Sequence, residues 1–308
     1  MADIPIIYPD YFTEFKCIKG ECKHNCCIGW EIDIDRNSLE FYEKVTGELG
    51  ERLKRSISKD ETPHFILSEN ERCPFLNDEN LCDIIIGLGE THICDICTEH
   101  PRFNNSLPDR LEKGLGLTCE AAGRIILAKK DPVKLIGSFE SNDEIIILRD
   151  KVISVLQNRS KPISQRITDM LDLCCTAMPE RDFEYWIETL LSLERLDEVW
   201  TDILNDLKQA DLDLDEFDAY MTSRITEYEQ LLVYFIYRHL ANAFDAEDAA
   251  ARACFAVLGY EIIHSIGAMM YSKNNSFTFE DQVELARMFS SEIEYSQDNL
   301  DTILDEMI

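Results

Sequence analysis

The chain has 308 residues, 45% of them hydrophobic, and sets 60 acidic side chains against 30 basic ones for a formal net charge of −30. That much apolar material supports a real core, so disorder is not the default, and the length suits one large or two ordinary domains. The acid surplus repels phosphate backbones and anionic headgroups, which argues against nucleic-acid and membrane partners and favours either a cationic, lysine-bearing one or, at least equally, a role in solubility alone.

The Met-Ala-Asp start has no basic segment followed by an apolar stretch, so no secretory signal is expected and the chain is assigned to the cytoplasm. Nine of its twelve cysteines precede residue 120, and four of these form Cys17-x4-Cys22-x3-Cys26-Cys27. In a reducing compartment such crowding points to metal binding or catalysis rather than to disulfides. A helix is expected from about Ser38 to Ile57. Phe65-Ile66-Leu67, Cys73-Pro74-Phe75-Leu76 and Ile84-Ile85-Ile86 read as brief strands or single turns between Gly- and Pro-bearing loops. Cys73, Cys82, Cys94, Cys97 and Cys119 complete the thiol set.

The composition changes near residue 130. Residues 1–130 carry a net charge of −8, and residues 131–308 carry −22. Helical spacing then recurs over about 143–158, 163–177, 181–208, 213–242, 246–272 and 279–306. Tyr220, Met221, Ile225, Tyr228, Leu231, Leu232, Phe235 and Ile236 recur at three- and four-residue steps, as a stripe facing a core does. Thr278 is placed as a helix N-cap with an acidic first turn behind it. The longest apolar run, Leu231 to Phe244, is interrupted by Arg238 and His239, so no membrane span of ~18 residues is expected. Cys174, Cys175 and Cys254 sit in apolar helical surroundings and read as small buried hydrophobes. The expected fold is mainly α: an irregular cysteine-rich, metal-binding domain with short strands over 1–130, followed by an acidic all-helical domain over 131–308.

Thiolates are soft ligands for zinc or iron–sulfur clusters and are usually grouped in fours. Eight would fill two four-coordinate sites, or one cluster and one zinc site. Signatures of other chemistries are missing. The sequence has no Cys-x3-Cys-x2-Cys, no GxGxxG after a strand, and no GxSxG, HExxH or Walker A pattern.

Several blocks together carry a resemblance. Cys17-x4-Cys22-x3-Cys26-Cys27-Ile-Gly-Trp30, Cys73-Pro-Phe-Leu76, Leu81-Cys82, Leu88-Gly89-Glu90, Cys97 with His100-Pro101-Arg102, and Leu117-Thr118-Cys119 resemble the flagellin lysine-N-methylase family. That family is a branch of the proteins with a cysteine-rich zinc- or iron-chelating domain. Leu232 to His239 and Ser291 to Leu300 resemble further blocks of the same family. Departures are His100 where the family more often has tyrosine, Tyr295 where it has histidine, and Cys94, an additional thiol. The resemblance implies methyl transfer from S-adenosylmethionine to lysines of flagellin. It also implies a cysteine-bound iron–sulfur cluster (4Fe-4S, with zinc as the alternative) held by Cys17, Cys22, Cys26, Cys27, Cys73, Cys82, Cys97 and Cys119.

A lysine amine with a pKa near ~10.4 must lose a proton before it can attack a methyl sulfonium, so a carboxylate or phenol beside it has a use. Glu292, Glu294 and Tyr295 are the candidates, against the alternative that they form a solvated face of the last helix. A competing function is a non-enzymatic, zinc-braced adaptor that captures a basic partner.

Overall fold

The computed structural model describes residues 4–137 and 141–308. The chain forms two compact units, one of Lys16–Phe103 and the other of Met1–Phe15 with Asn104–Ile308. The compositional change near residue 130 falls inside the second of these. The architecture is mainly α, as the periodicity implies.

The unit Lys16–Phe103 contains short helices α1 (Arg36–Tyr42), α2 (Gly47–Ser56), α3 (Asp83–Leu88) and α4 (Asp95–Glu99), joined by irregular chain. A single helix over Ser38 to Ile57 does not form. The chain turns after Tyr42, and Gly47 sits at φ +80°, a conformation that residues with a Cβ rarely adopt. A Cβ on Gly50 would lie 2.1 Å from the Val45 carbonyl, so the turn and α2 fit together only through glycine. Asp35 begins two helices at once. One of its carboxylate oxygens accepts the Ser38 amide of α1 at 2.9 Å and the other accepts the Asp95 amide of α4 at 2.9 Å.

The strand candidates are single antiparallel bridges, Ile57 with Phe65 and Leu76 with Cys82, whereas Ile84 to Ile86 lie in α3. Short apolar runs do not separate strand from helix by pattern alone. The core of this unit is Ile32, Ile34, Tyr42, Leu53, Phe65, Phe75 and Ile84, with Cys73 and Cys94 buried among them.

The other unit carries a small sheet of β1 (Ile6–Pro9), β2 (Arg102–Ser106), β3 (Leu111–Leu115) and β4 (Leu135–Ile136) in the order β2-β3-β1-β4. Strand β1 runs parallel to β3, with Ile6 opposite Leu111, and antiparallel to β4, with Tyr8 opposite Ile136. Its helices are α5 (Glu120–Ala128), α6 (Glu144–Leu156), α7 (Ile163–Leu173), α8 (Phe183–Ser192), α9 (Glu198–Lys208), α10 (Leu214–Met221), α11 (Ile225–His239), α12 (Ala246–Asn274), α13 (Phe279–Phe289) and α14 (Gln297–Asp305).

Part of the acidic surplus is spent on starting these helices. Asp143, Asp182, Asp197, Asp213 and Asp245 each accept a first-turn amide, and Thr278 forms a reciprocal capping box with Asp281. The same caps split the long periodic segments. The expected 181–208 becomes α8 and α9 because Asp197 restarts the helix, and 213–242 becomes α10 and α11 across a tight turn at Thr222–Arg224. The segment 163–177 stops at Leu173, which leaves Cys174 buried and Cys175 exposed at φ +53°, so Cys175 is not a core residue. The expected 279–306 becomes α13, a π-helical turn at Ser290–Glu294, and α14.

Helix α11 is buried along its whole length from Glu227 to Tyr237 rather than along one stripe. It packs on α12, where a Cβ on Gly259 would come within 2.8 Å of the Phe235 ring. Helix α12 has 29 residues and is long and apolar enough to cross a membrane, a candidate that the Leu231 to Phe244 run does not identify. Of its most apolar window, 83% is buried inside this unit, as befits a core helix. Charges inside the unit are paired. Arg149 forks onto Glu112 at 2.6 and 2.9 Å, both side chains fully buried, and Arg166 meets Glu229 at 2.7 Å.

Candidate functional site

None of the described thiols of the unit Lys16–Phe103 is in a disulfide. Cys27, Cys82 and Cys97 pack against the core that buries Cys73 and Cys94. The Cys94 and Cys97 sulfurs are 3.4 Å apart. Sharing this hydrogen bond lowers the thiol pKa of Cys94 and raises that of Cys97, and the Cys26–Cys27 pair behaves in the same way, Cys26 lowered and Cys27 raised. Burial pushes the Cys73 thiol up to about 11.

Cys17 and Cys22 serve their own turns. Cys17 Sγ accepts the Lys19 amide at 3.4 Å, and the Cys22 thiol donates to the His24 carbonyl at 3.1 Å. Cys119 belongs to the other unit, immediately before α5. The donor set is soft and suits zinc or iron. Among the described residues, however, no three His, Cys, Asp or Glu side chains are arranged as they stand to hold a metal ion. Trp30 donates its indole N–H to the Cys26 carbonyl at 2.7 Å, and burial, aided by Arg102, holds His100 neutral with a pKa of about 4.

The second assembly of functional groups is in the helical unit and is built from segments far apart in sequence. The π-helical turn widens the backbone after α13, and such turns are frequent at functional sites. It directs Glu294 inward. There Glu294 accepts from Tyr234 Oη at 3.1 Å and from His239 Nε2 at 2.6 Å, with Arg238 Nε at 3.3 Å. An ionised carboxylate only accepts, so the shared hydrogen belongs to His239 Nε2. Arg238 Nη1 and the Leu117 amide both donate to Tyr234 Oη, at 2.8 and 3.2 Å.

Thr118 Oγ1 lies 2.8 Å from Ser291 Oγ, which ties the start of α5 to the π turn. The Tyr295 ring lies 5.0 Å from the Arg238 guanidinium and is 45% exposed, so it is the part of the cluster that solvent reaches. Burial works to raise the Glu294 carboxyl, but Arg238 and His239 outweigh it and hold the group below the usual carboxylate range. Burial holds His239 below the usual imidazole value against the pull of Glu294. Burial also raises Tyr295, so its phenol stays protonated at neutral pH.

Glu292 and Glu294 are both buried, so the alternative of a solvated helix face fails for these two. Glu292 is occupied elsewhere. Its two oxygens accept the Leu196 and Asp197 amides at 2.9 Å each, and so pin the entry to α9. Sequence reasoning missed Tyr234, Arg238 and His239 as site residues. The available signal was a charged pair interrupting an apolar run, with Tyr234 four residues before Arg238 and therefore on the same helix face.

The fold and these sites define a mainly helical protein in which a thiol-rich unit accompanies a helical domain with a buried carboxylate–imidazole–guanidinium cluster. Residues 176–308 match the family model described as FliB lysine N-methylase C-terminal domain. Two curated relatives called lysine-N-methylase, from Salmonella typhimurium and Salmonella choleraesuis, are each 23% identical over 193 residues, covering 58% of this chain and 43% of the relative. The flagellar biosynthetic protein FliU of Salmonella muenchen is 25% identical over 162 residues, covering 48% of this chain and 92% of that protein. No solved structure matches the chain. The matched stretch spans less than half the length of the curated lysine-N-methylases.

Proposed function

We propose that this protein is a methyltransferase that acts on lysine side chains of flagellin in the cytoplasm, with S-adenosylmethionine as methyl donor. One observation carries the reading. The Leu117–Cys119, Leu232–His239 and Ser291–Leu300 blocks, separated in sequence, close around Glu294, and the last two of them lie within the residues 176–308 that match the lysine N-methylase family model.

In the transfer a neutral lysine nitrogen forms a bond to the methyl carbon as the carbon–sulfur bond breaks, and the nitrogen then sheds a proton. Tyr295 is the group of the cluster placed to touch the lysine. Its neutral phenol offers an oxygen to the amine N–H and an apolar face that strips water from it. Glu294, Arg238 and Tyr234 are positioning residues that fix the ring from below. Fully occupied by three donors and held ionised, Glu294 stabilises Arg238 rather than exchanging protons with substrate.

The thiol-rich unit is proposed to bind a metal, as an iron–sulfur cluster or as zinc, and no step of the transfer is routed through it.

The test incubates the full chain, purified without oxygen, with flagellin and S-adenosylmethionine and maps lysines by mass spectrometry. Added methyl groups on flagellin, abolished in Tyr295→Ala, support the reading. Flagellin that binds the protein and stays unmodified would instead favour the adaptor function, and unmodified flagellin that does not bind removes both.

A further inference from the structure

The loop between α8 and α9 is exposed from Glu194 through Val199, and it presents Leu196 at 61% and Val199 at 52% exposure. A lone exposed aliphatic side chain is ordinary on any protein surface. Here two of them stand on a loop that the helical unit holds in place. Glu292, itself buried, gives both carboxylate oxygens to the Leu196 and Asp197 amides. Asn299 accepts the Glu194 amide at 3.0 Å and donates to the Glu194 carbonyl at 2.7 Å. At the far end Trp200 is buried against Phe289, with ring centroids 6.4 Å apart.

This anchoring has a cost. Burial raises the Glu292 carboxyl, and ordering the loop backbone loses conformational entropy. What it fixes is the position of two apolar side chains that stand mostly in water, as a binding surface requires.

The charges around them are mostly negative. Glu194, Asp197, Glu198 and Asp202 are exposed beside Leu196 and Val199, and Arg195 reaches Glu198 at 3.7 Å. An aliphatic pair with an anionic rim complements a segment that joins apolar residues to lysines. The anchor also sets where that segment runs. Glu292 belongs to the π turn, and Tyr295, the group placed to touch the lysine, follows that turn directly.

We propose that the loop 194–199 docks the protein substrate, with Leu196 and Val199 packing on aliphatic side chains of a lysine-bearing polypeptide segment and Glu194 and Glu198 meeting its cationic residues. The inference rests on the proposed methylation of flagellin and adds the surface that holds the polypeptide while its target lysine reaches Tyr295.

The experiment measures binding of purified flagellin to the full chain, purified without oxygen, by calorimetry, beside methylation of the same flagellin. Leu196→Ser combined with Val199→Ser is expected to weaken binding and raise KM by about tenfold, at the melting midpoint of the parent. Leu214→Ser, a change at an exposed aliphatic residue of α10, is expected to leave both at the parental value. Glu194→Lys combined with Glu198→Lys is expected to weaken binding at low salt and to flatten its salt dependence. If the serine variant melts below the parent, hydrogen exchange of the wild type decides: flagellin must slow the amides of residues 194–199, and unchanged exchange overturns the surface. Parental affinity in the serine variant with methylation intact overturns the docking surface and leaves the methylase reading standing. Flagellin that binds through the loop and stays unmethylated supports the surface and counts against methyl transfer. A wild type that neither binds nor methylates flagellin removes both, and a wild-type dimer that the serine variant splits assigns the face to a second copy of this chain, which overturns the proposal.

Discussion

Glu294 and His239, 55 residues apart in sequence, meet at 2.6 Å in the interior of the helical unit, where neither is open to solvent. A carboxylate in such a place costs several kcal/mol to desolvate unless its partners hold it. Arg238, His239 and Tyr234 do so together. The cluster is a sum of mutually dependent charges and not a set of separate contacts.

Replacing Glu294 by Ala leaves Arg238 buried without its anion and is expected to lower unfolding free energy by about 3–5 kcal/mol, the usual cost of breaking a buried pair on one side. Urea unfolding followed by circular dichroism measures this. A midpoint equal to the parent's would show that the carboxylate is not the keystone of the cluster.

The pH dependence follows from the same groups. Burial keeps His239 and His264 neutral in the folded chain, with pKa values below the ordinary imidazole value, whereas the unfolded chain takes up protons as pH falls through about 6.5. Stability is therefore complete above that pH and declines below it. Glu294 acts in the same direction at lower pH. Its folded pKa is depressed, so its contribution is present above about 4.3 and is lost as pH falls towards the folded value. His239→Gln should flatten the slope between pH 7 and about 5, and an unaltered slope would contradict the assignment of a neutral His239.

Tyr295 and Glu292 separate chemistry from architecture. Tyr295→Phe keeps the ring and removes the hydroxyl that shares a hydrogen bond with Arg238, so stability should fall by only about 0.5–1.5 kcal/mol while flagellin methylation slows by about 100-fold. Glu292→Ala strands the Leu196 and Asp197 amides and should cost about 1–3 kcal/mol. Paired melting and methylation measurements give both numbers, and a Tyr295→Phe protein that methylates at the parental rate would rule out the phenol as the lysine contact.

Thr278→Ala removes the side-chain half of a capping box at the start of α13 and should cost about 1 kcal/mol, read as a lower urea midpoint with an unchanged slope. Asp281→Asn tests the other half, and no loss in either variant would mean that the helix start is held by packing alone.

Much of the secondary structure was legible in the sequence. The Thr278 cap and the helices of residues 144–173 follow local rules that need only a few neighbouring residues. The missed breaks follow rules of the same reach that periodicity hides. The chain turns after Tyr42, α2 starts afresh at Gly47, and Asp197 restarts a helix where the apolar spacing runs on. Cys175 fails as a core residue because the backbone passes into a left-handed conformation there, which no apolar pattern announces.

The sequence by itself determined that the chain is mainly helical, that its thiols are crowded early, and which blocks to compare with known families. Residue type, spacing and capping are local properties, written within one or two helical turns. Only the tertiary structure decided that Glu292 pins a loop while Glu294, two residues on, enters a buried cluster, because the segments that pack against the two sides of that turn come from distant parts of the chain. It alone decided that Cys94 faces Cys97 inside a core while Cys17 and Cys22 serve their own turn. Burial and partner identity are set by which segments meet, and a pattern along one chain does not contain that.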